Sequence, residues 1–127
     1  MSNFTIEING KTYPLKFGFS FMLKMDKKLT RYDDGTGRDE KQGLSYAIAK
    51  IFDRDVATLV DVIMTANETE KDKIKKDELI KWIEDDADID KVFEEIDGFF
   101  EQANCTKNEY KYVQKMVGQM AEEEEEE

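Results

Sequence analysis

Residues 4–18, FTIEINGKTYPLKFG, set the tightest constraint on what this 127-residue chain can fold into. Phe4, Ile6 and Ile8 alternate with Thr5 and Glu7, the period-two pattern of a half-buried strand. Asn9-Gly10 suits a two-residue type I′ turn, because both central positions of that turn take positive φ. The turn pairs Ile8 with Lys11, Ile6 with Tyr13 and Phe4 with Leu15, so Phe4, Ile6, Tyr13 and Leu15 share one apolar face. Pro14 falls opposite Thr5 at a non-hydrogen-bonded position. Its missing N–H costs this ladder nothing there and discourages pairing on the outer side. An isolated hairpin is marginal in water, so the rest of the chain has to cover that face.

The rest reads as helix. From about Ser20 to Leu29, Phe21, Met25 and Leu29 recur every four residues with Met22 beside them, and Ser20 is placed to cap the start. Phe17 and Phe21 carry the hairpin face into this helix. RYDDGTGRDEKQG (31–43) breaks the pattern with glycines and clustered charge and reads as an exposed loop. A helix from about Lys41 to Phe52 buries Leu44, Ala47, Ile48 and Ile51. Asp53 or Asp55 caps the next, where Val56, Leu59, Val60 and Ile63 make the apolar stripe and Asn67 the stop. A short helix with Leu79, Ile80, Trp82 and Ile83 ends near Asp85. DDAD (85–88) then opens a longer one carrying Ile89, Val92, Phe93, Ile96, Phe100 and Ala103, stopped by Asn104.

The expected fold is α+β, mostly α: an N-terminal β-hairpin packed on a bundle of about five helices. It forms a single domain over residues 1–107, with the hairpin at 4–16. A C-terminal amphipathic helix at 108–121 and a disordered poly-glutamate tail at 122–127 follow.

Charge and composition exclude several functions. The net charge is −11, of which Glu122–Glu127 supplies −6, and the remaining −5 is ordinary. No stripe basic enough to displace counterions from a duplex is present, so no nucleic-acid partner is expected. Neither a signal peptide nor an apolar span long enough for a membrane is visible, which points to the cytoplasm and to no membrane partner. With no histidine, His-based acid–base catalysis, Ser-His-Asp and Cys-His nucleophiles and His-ligated metals are excluded. The lone Cys105 cannot form an internal disulfide and, with no histidine to activate it, reads as a spectator.

Asp86, Asp88 and Asp90 mimic the first ligands of a calcium loop. However, Lys91 stands where that loop needs glycine and Asp97 where it needs glutamate, so helix capping is the better reading. Asp33, Asp34, Asp39 and Glu40 read as a solvated loop. No catalytic residue, cofactor or metal is expected.

What remains is surface. Tyr110, Val113, Val117 and Met120 form one stripe with Met116 adjoining. The stripe either docks on the core or packs against another subunit or a client helix, where methionine tolerates varied partners. The outer edge of strand 4–8, with Phe4 and Ile6, is a second expected contact for a partner.

Several stretches resemble a known family. FTIEINGKTYPLKFGFSFMLKMDKKL is similar to the N-terminal signature of phage tail assembly chaperones from long, non-contractile-tailed phages of Gram-positive hosts. That signature is a hairpin around Asn-Gly-Lys, a Leu-Lys-Phe-Gly entry to the helix, then Leu/Met-Asp-Lys-Lys. VATLVDVIMTAN, LIKWIEDDADIDKVFEEI and NCTK continue the likeness, which covers about residues 4–107. The resemblance implies a non-enzymatic assembly factor of the host cytoplasm, absent from the mature virion. Such a factor binds the tape-measure protein, keeps it soluble and helps recruit tail-tube (major tail protein) subunits. Self-association and a frameshifted longer form accompany this role in the family. Two other readings stay open: an acidic DNA-mimic inhibitor, suggested by the −11 charge, and a small carboxylate-based metal-binding protein, suggested by Asp86, Asp88 and Asp90.

Overall fold

The computed structural model describes residues 4–28, 31–33, 38–40 and 43–125, with side chains described for 4–27 and 43–118. Strands β1 (Phe4–Ile8) and β2 (Lys11–Leu15) pair antiparallel, with Ile8 opposite Lys11, Ile6 opposite Tyr13, Thr5 opposite Pro14 and Phe4 opposite Leu15. Asn9 and Gly10 take φ of 53° and 83°, the two positive values that a type I′ turn requires. Turn chemistry and alternation therefore produce the expected register. Ile6, Ile8, Tyr13 and Leu15 are buried, and Phe4 is half-buried.

Among the described residues six helices follow: α1 (Phe19–Lys28), α2 (Gly43–Phe52), α3 (Val56–Asn67), α4 (Lys76–Asp85), α5 (Ile89–Gln102) and α6 (Lys107–Glu125). The class is α+β, mostly α. One core joins the hairpin to α1–α6, and Phe21, Met25, Phe93, Ile96 and Phe100 are among its most deeply buried residues. Each such side chain taken out of water contributes about 1.5–3 kcal/mol before entropy is counted. That burial supplies the cover the hairpin cannot provide for itself.

Two helix starts follow the sequence closely. Asp55 caps α3 by accepting the Thr58 N–H at 3.0 Å, and Asp88 caps α5 by accepting the Lys91 N–H at 3.3 Å. Ser20, in contrast, lies inside α1. The first turn there is closed from Gly18, whose C=O accepts the Met22 N–H at 3.1 Å. Leu29 and Lys41, the expected ends of two helices, lie outside the described residues.

The segment read as a loop holds a second short hairpin, β3 (Arg31–Asp33) paired antiparallel with β4 (Arg38–Glu40). Strands of three residues are too short to show an alternating pattern, which is why glycine and charge dominate that reading. Asp34 lies outside the described residues. In α3 the expected Leu59 and Ile63 are buried and Val60 is half-buried against the core, but the inward face is rotated toward Val62 and Ala66. Leu59, Val62, Ile63 and Ala66 are buried, while Val56 is exposed. VATLVDVIMTAN is apolar on most sides, so periodicity leaves its phase open. The buried Asn67 at its end selects the phase, as described below. Finally, the helix expected to stop at residue 121 runs as α6 to Glu125. Glutamate is a good helix former, and extending an existing helix needs no new nucleus.

Two close approaches fix the hairpin and α1 in place. The C=O of Pro14 accepts from Asn67 Nδ2 at 3.0 Å, and the Lys16 N–H donates to the Ala66 C=O at 2.8 Å. The outer edge of β2 is thus closed by the end of α3, and among the described residues β1 has a strand neighbour only on its β2 side. At the other contact, a Cβ on Gly43 would stand 2.1 Å from the Met25 C=O and 2.5 Å from Asp26 Cα. Only glycine lets α2 begin there, and Asp26 Oδ1 accepts the Leu44 N–H across the contact at 3.0 Å.

Candidate partner-binding surfaces

The hairpin and α1 bring phenylalanines onto the end of α5. Phe17 lies 5.0 Å from Phe21, 5.7 Å from Phe99 and 5.5 Å from Phe100, and Phe4 lies 5.0 Å from Phe99. Such tilted and edge-on pairs add about 0.5–1.5 kcal/mol each beyond area burial. Phe21 and Phe100 are fully buried, whereas Phe4 and Phe99 stay partly open to solvent. Above this cluster, a cleft of about 580 Å³ separates the open end of the hairpin from the α5–α6 corner. Phe4, Leu15, Phe17 and Ala103 form its apolar wall, and Lys16 and Cys105 stand among its polar residues. Directly after Phe17 and Gly18 come two exposed apolar residues one helical turn apart, Phe19 (64% exposed) and Leu23 (50%).

The residues expected at a partner surface are divided by the fold. Tyr110 and Val113 are buried, with the Tyr110 ring stacked on Phe52 at 5.2 Å and 28°. Ile6 is buried in the core, and Phe4 forms part of the cleft wall. Val117 is half-buried against the core, and Met116 is 45% exposed. Met120 lies outside the residues whose side chains are described. Tyr112, 60% exposed and one turn before Met116, belongs to the same open row. Phe19, Leu23 and Tyr112 are absent from the sequence reading because each sits one or two positions off a stripe of larger apparent amphipathicity. Their i, i+4 pairing, Phe19 with Leu23 and Tyr112 with Met116, is the signal that marks them.

Charge ties the end of α2 to α5. Arg54, at φ 60° just past α2, places its guanidinium 5.2 Å from the Phe93 ring centroid and donates to Asp97 Oδ2 at 2.8 Å. Burial pushes the Asp97 carboxyl above its ordinary value, against the opposing pull of the Arg54 hydrogen bond and charge. Its Oδ1 is buried with no hydrogen-bond partner among the described residues. Burial also raises Tyr110, helped by the nearby Asp97 charge. The buried Thr106 Oγ1 donates to the Phe100 C=O at 2.7 Å and its C=O accepts the Tyr110 N–H, fixing the turn between α5 and α6.

A second cleft, of about 390 Å³, lies between the hairpin turn and the α4–α5 corner. Trp82 lines it together with Glu7, Asp86, Asp88, Glu95 and Lys91. Asp88 is engaged as the α5 cap, and among the described residues no group of three or more acidic, histidine or cysteine side chains is arranged to hold a metal ion. Among the described residues no helix is long and apolar enough to cross a membrane.

A family model, that of the phage tail assembly chaperone protein, matches residues 5–115. The match takes in the hairpin, α1–α5 and the first half of α6, so it extends past residue 107 into the helix beyond it. No curated protein and no solved structure matches the chain. The family is not a known class of enzymes. A match over so much of the sequence assigns the fold just described to a group of tail morphogenesis factors, and the chain belongs to the phage tail assembly chaperone family.

Proposed function

We propose that this chain binds the tape-measure protein of a long-tailed phage, keeps it soluble, and helps recruit tail-tube subunits around it. It acts without catalysis, in the host cytoplasm, and leaves before the virion is complete. A tape-measure protein presents long amphipathic helix, and a carrier for it needs open apolar contacts on a charged, well-folded body. The observation that carries this reading is the apolar surface at the hairpin end of a family member. The cleft walled by Phe4, Leu15 and Phe17 opens at the hairpin end, and α1, which begins two residues after Phe17, exposes Phe19 and Leu23. A helix laid there would bury apolar side chains at i, i+4 spacing against a surface of the same spacing. The exposed row of α6, Tyr112 and Met116 with the half-open Val117, is left for neighbouring copies or a frameshifted longer form.

Co-expression with the tape-measure protein tests the proposal. The expected result is a larger soluble yield of that protein and its recovery in complex with the chain, while purified virions lack the chain. A client that stays insoluble and uncaptured would refute the reading.

A further inference from the structure

The open edge of β1 borders a cleft that the proposed client surface does not use. Register fixes which backbone groups point out of the hairpin. The type I′ turn makes Ile8–Lys11, Ile6–Tyr13 and Phe4–Leu15 the hydrogen-bonded pairs, so the N–H and C=O of Thr5 and Glu7 point away from β2. The β2 edge shows the same parity, since the Pro14 C=O and the Lys16 N–H point outward and are taken by Asn67 and Ala66. No group among the described residues takes the backbone of Thr5 or Glu7 in this way, and both residues are exposed. Such an edge is a template for one more strand.

The cleft beside this edge selects the side chains of that strand. Phe4 meets Phe99 at 5.0 Å, and Glu7 lines the cleft together with Val92 and Glu95, so β1 and α5 flank it from the Phe4–Phe99 contact to the hairpin turn. From Val92 to Phe99, α5 rises about 10.5 Å, the length of about three strand residues. Glu7, Asp86 and Glu95 outweigh Lys91 there, and none of the three is ion-paired among the described residues. Val92 and the half-buried Trp82 add apolar and aromatic surface. A lysine or arginine entering the cleft meets carboxylates and an aromatic ring together. A helix spends its backbone groups internally and has none to offer the edge, whereas an extended chain offers them and places every second side chain on one face.

We infer that the β1 edge binds an extended, basic segment of a different protein, which adds to the hairpin as a third strand and points its lysine or arginine side chains into the Trp82 cleft. The main chain of the segment pairs with Thr5 and Glu7, and charge chooses which segment does so. A second copy of this chain is a poor occupant, because its own β1 edge would bring another Glu7 to an acidic cleft. Glu7 thus repels strands like its own and attracts basic ones, which makes one side chain both guard and selector of the edge. This site goes beyond the helix-binding surface at Phe19 and Leu23: that surface takes an amphipathic helix, and this edge takes a segment with no helix.

Fluorescence anisotropy with a labelled hexapeptide of alternating lysine and valine, titrated with the full chain, tests it. Saturable binding is expected below about 1 mM, and about tenfold weaker in roughly 0.5 M than in roughly 0.05 M salt. Hydrogen exchange on the complex should show new protection at the Thr5 and Glu7 N–H groups. The same peptide methylated at every backbone nitrogen keeps its charge but cannot pair, and should not bind; nor should a glutamate–valine peptide. Glu7→Lys/Glu95→Lys reverses the cleft charge and should weaken binding at least about tenfold. Thr5→Pro removes one outward N–H while leaving the β1–β2 ladder intact, and should weaken it similarly. Circular dichroism checks that both variants keep the fold, and the methylated peptide makes the same test on the wild type. Phe19→Glu/Leu23→Glu should bind the peptide as the wild type does, which separates this site from the proposed client surface. Four results would overturn the inference: no saturable binding of the lysine–valine peptide, equal binding of its methylated form, protection absent from Thr5 and Glu7, or loss of binding in Phe19→Glu/Leu23→Glu. The first would leave Glu7 as a guard of the edge alone, and the second would reduce the contact to charge without strand pairing.

Discussion

Replacing Asn67 by leucine should unfold more of this protein than any surface change, and the structure gives the reason. Asn67 is 2% exposed. Its Nδ2 donates to the Pro14 C=O at 3.0 Å and the Asp72 C=O at 2.9 Å, and its Oδ1 accepts the Ile74 N–H at 2.8 Å. One side chain therefore holds β2, the end of α3 and the connection leading to α4. Leucine has a similar volume and opens no cavity, but it can donate and accept nothing. The Ile74 N–H is stranded in a buried position, at about 1–3 kcal/mol. Pro14 is half-buried, so its carbonyl loses about 1 kcal/mol, and the exposed Asp72 turns to water at little cost. The sum is about 2–4 kcal/mol, or roughly 10 °C in Tm for a chain of this size. Urea unfolding followed by circular dichroism measures it. Asn67→Asp makes a sharper control. It keeps an acceptor for Ile74 but turns a carboxylate toward two carbonyls, so its carboxyl is held above the ordinary range. A group raised in this way destabilises the fold while ionised. The deficit of this variant should therefore shrink as pH falls through that raised value. A leucine variant within about 0.5 kcal/mol of wild type would refute the argument, because surface-like tolerance is incompatible with stranding a buried N–H.

Gly43→Ala drives a methyl into backbone rather than a movable side chain, so α1 and α2 must separate; a loss of about 1–3 kcal/mol in thermal or urea unfolding is expected. Asp55→Ala removes the α3 cap at about 1 kcal/mol. The Thr58 hydrogen bonds hold the Asp55 carboxyl below its usual value, so its contribution is present at neutral pH and fades as pH falls through that depressed value, and the variant and wild type should converge in strong acid. Asp97 behaves in the opposite sense. Its raised carboxyl should favour folding as pH falls from neutral through its folded value toward 3.8, and NMR titration of Arg54→Gln should find Asp97 higher still, since Arg54 opposes the rise. A bulky maleimide on the exposed Cys105 stands among the cleft's residues and should lower client capture without changing Tm.

How far the sequence reveals this molecule depends on how local each cause is. The β1–β2 register is fully legible, because Asn9-Gly10 and the alternation on either side act within a dozen residues. The caps Asp55 and Asp88 are legible for the same reason. The phase of α3 is not, since its choice depends on Asn67 meeting Pro14, far away in sequence. Nor is the role of Gly43, whose constraint is the backbone of Met25 and Asp26. The β3–β4 hairpin escapes because three-residue strands carry no period. The open apolar surface is half legible. The stripe at Tyr110, Val113 and Val117 is real, but amphipathicity marks a face that is buried somewhere without saying in what, and here Phe52 and the core take Tyr110 and Val113. The open residues lie beside that stripe, at Tyr112 and Met116, and on α1 at Phe19 and Leu23.

The central claim is that the apolar surface at the hairpin end captures the tape-measure protein. It is tested most directly by affinity capture of that protein with Phe19→Glu/Leu23→Glu beside wild type. Both side chains are at least half exposed, so the variant should keep its Tm. The account predicts a stoichiometric complex for wild type and loss of capture by the folded variant. Equal capture by both would place the client elsewhere and contradict it.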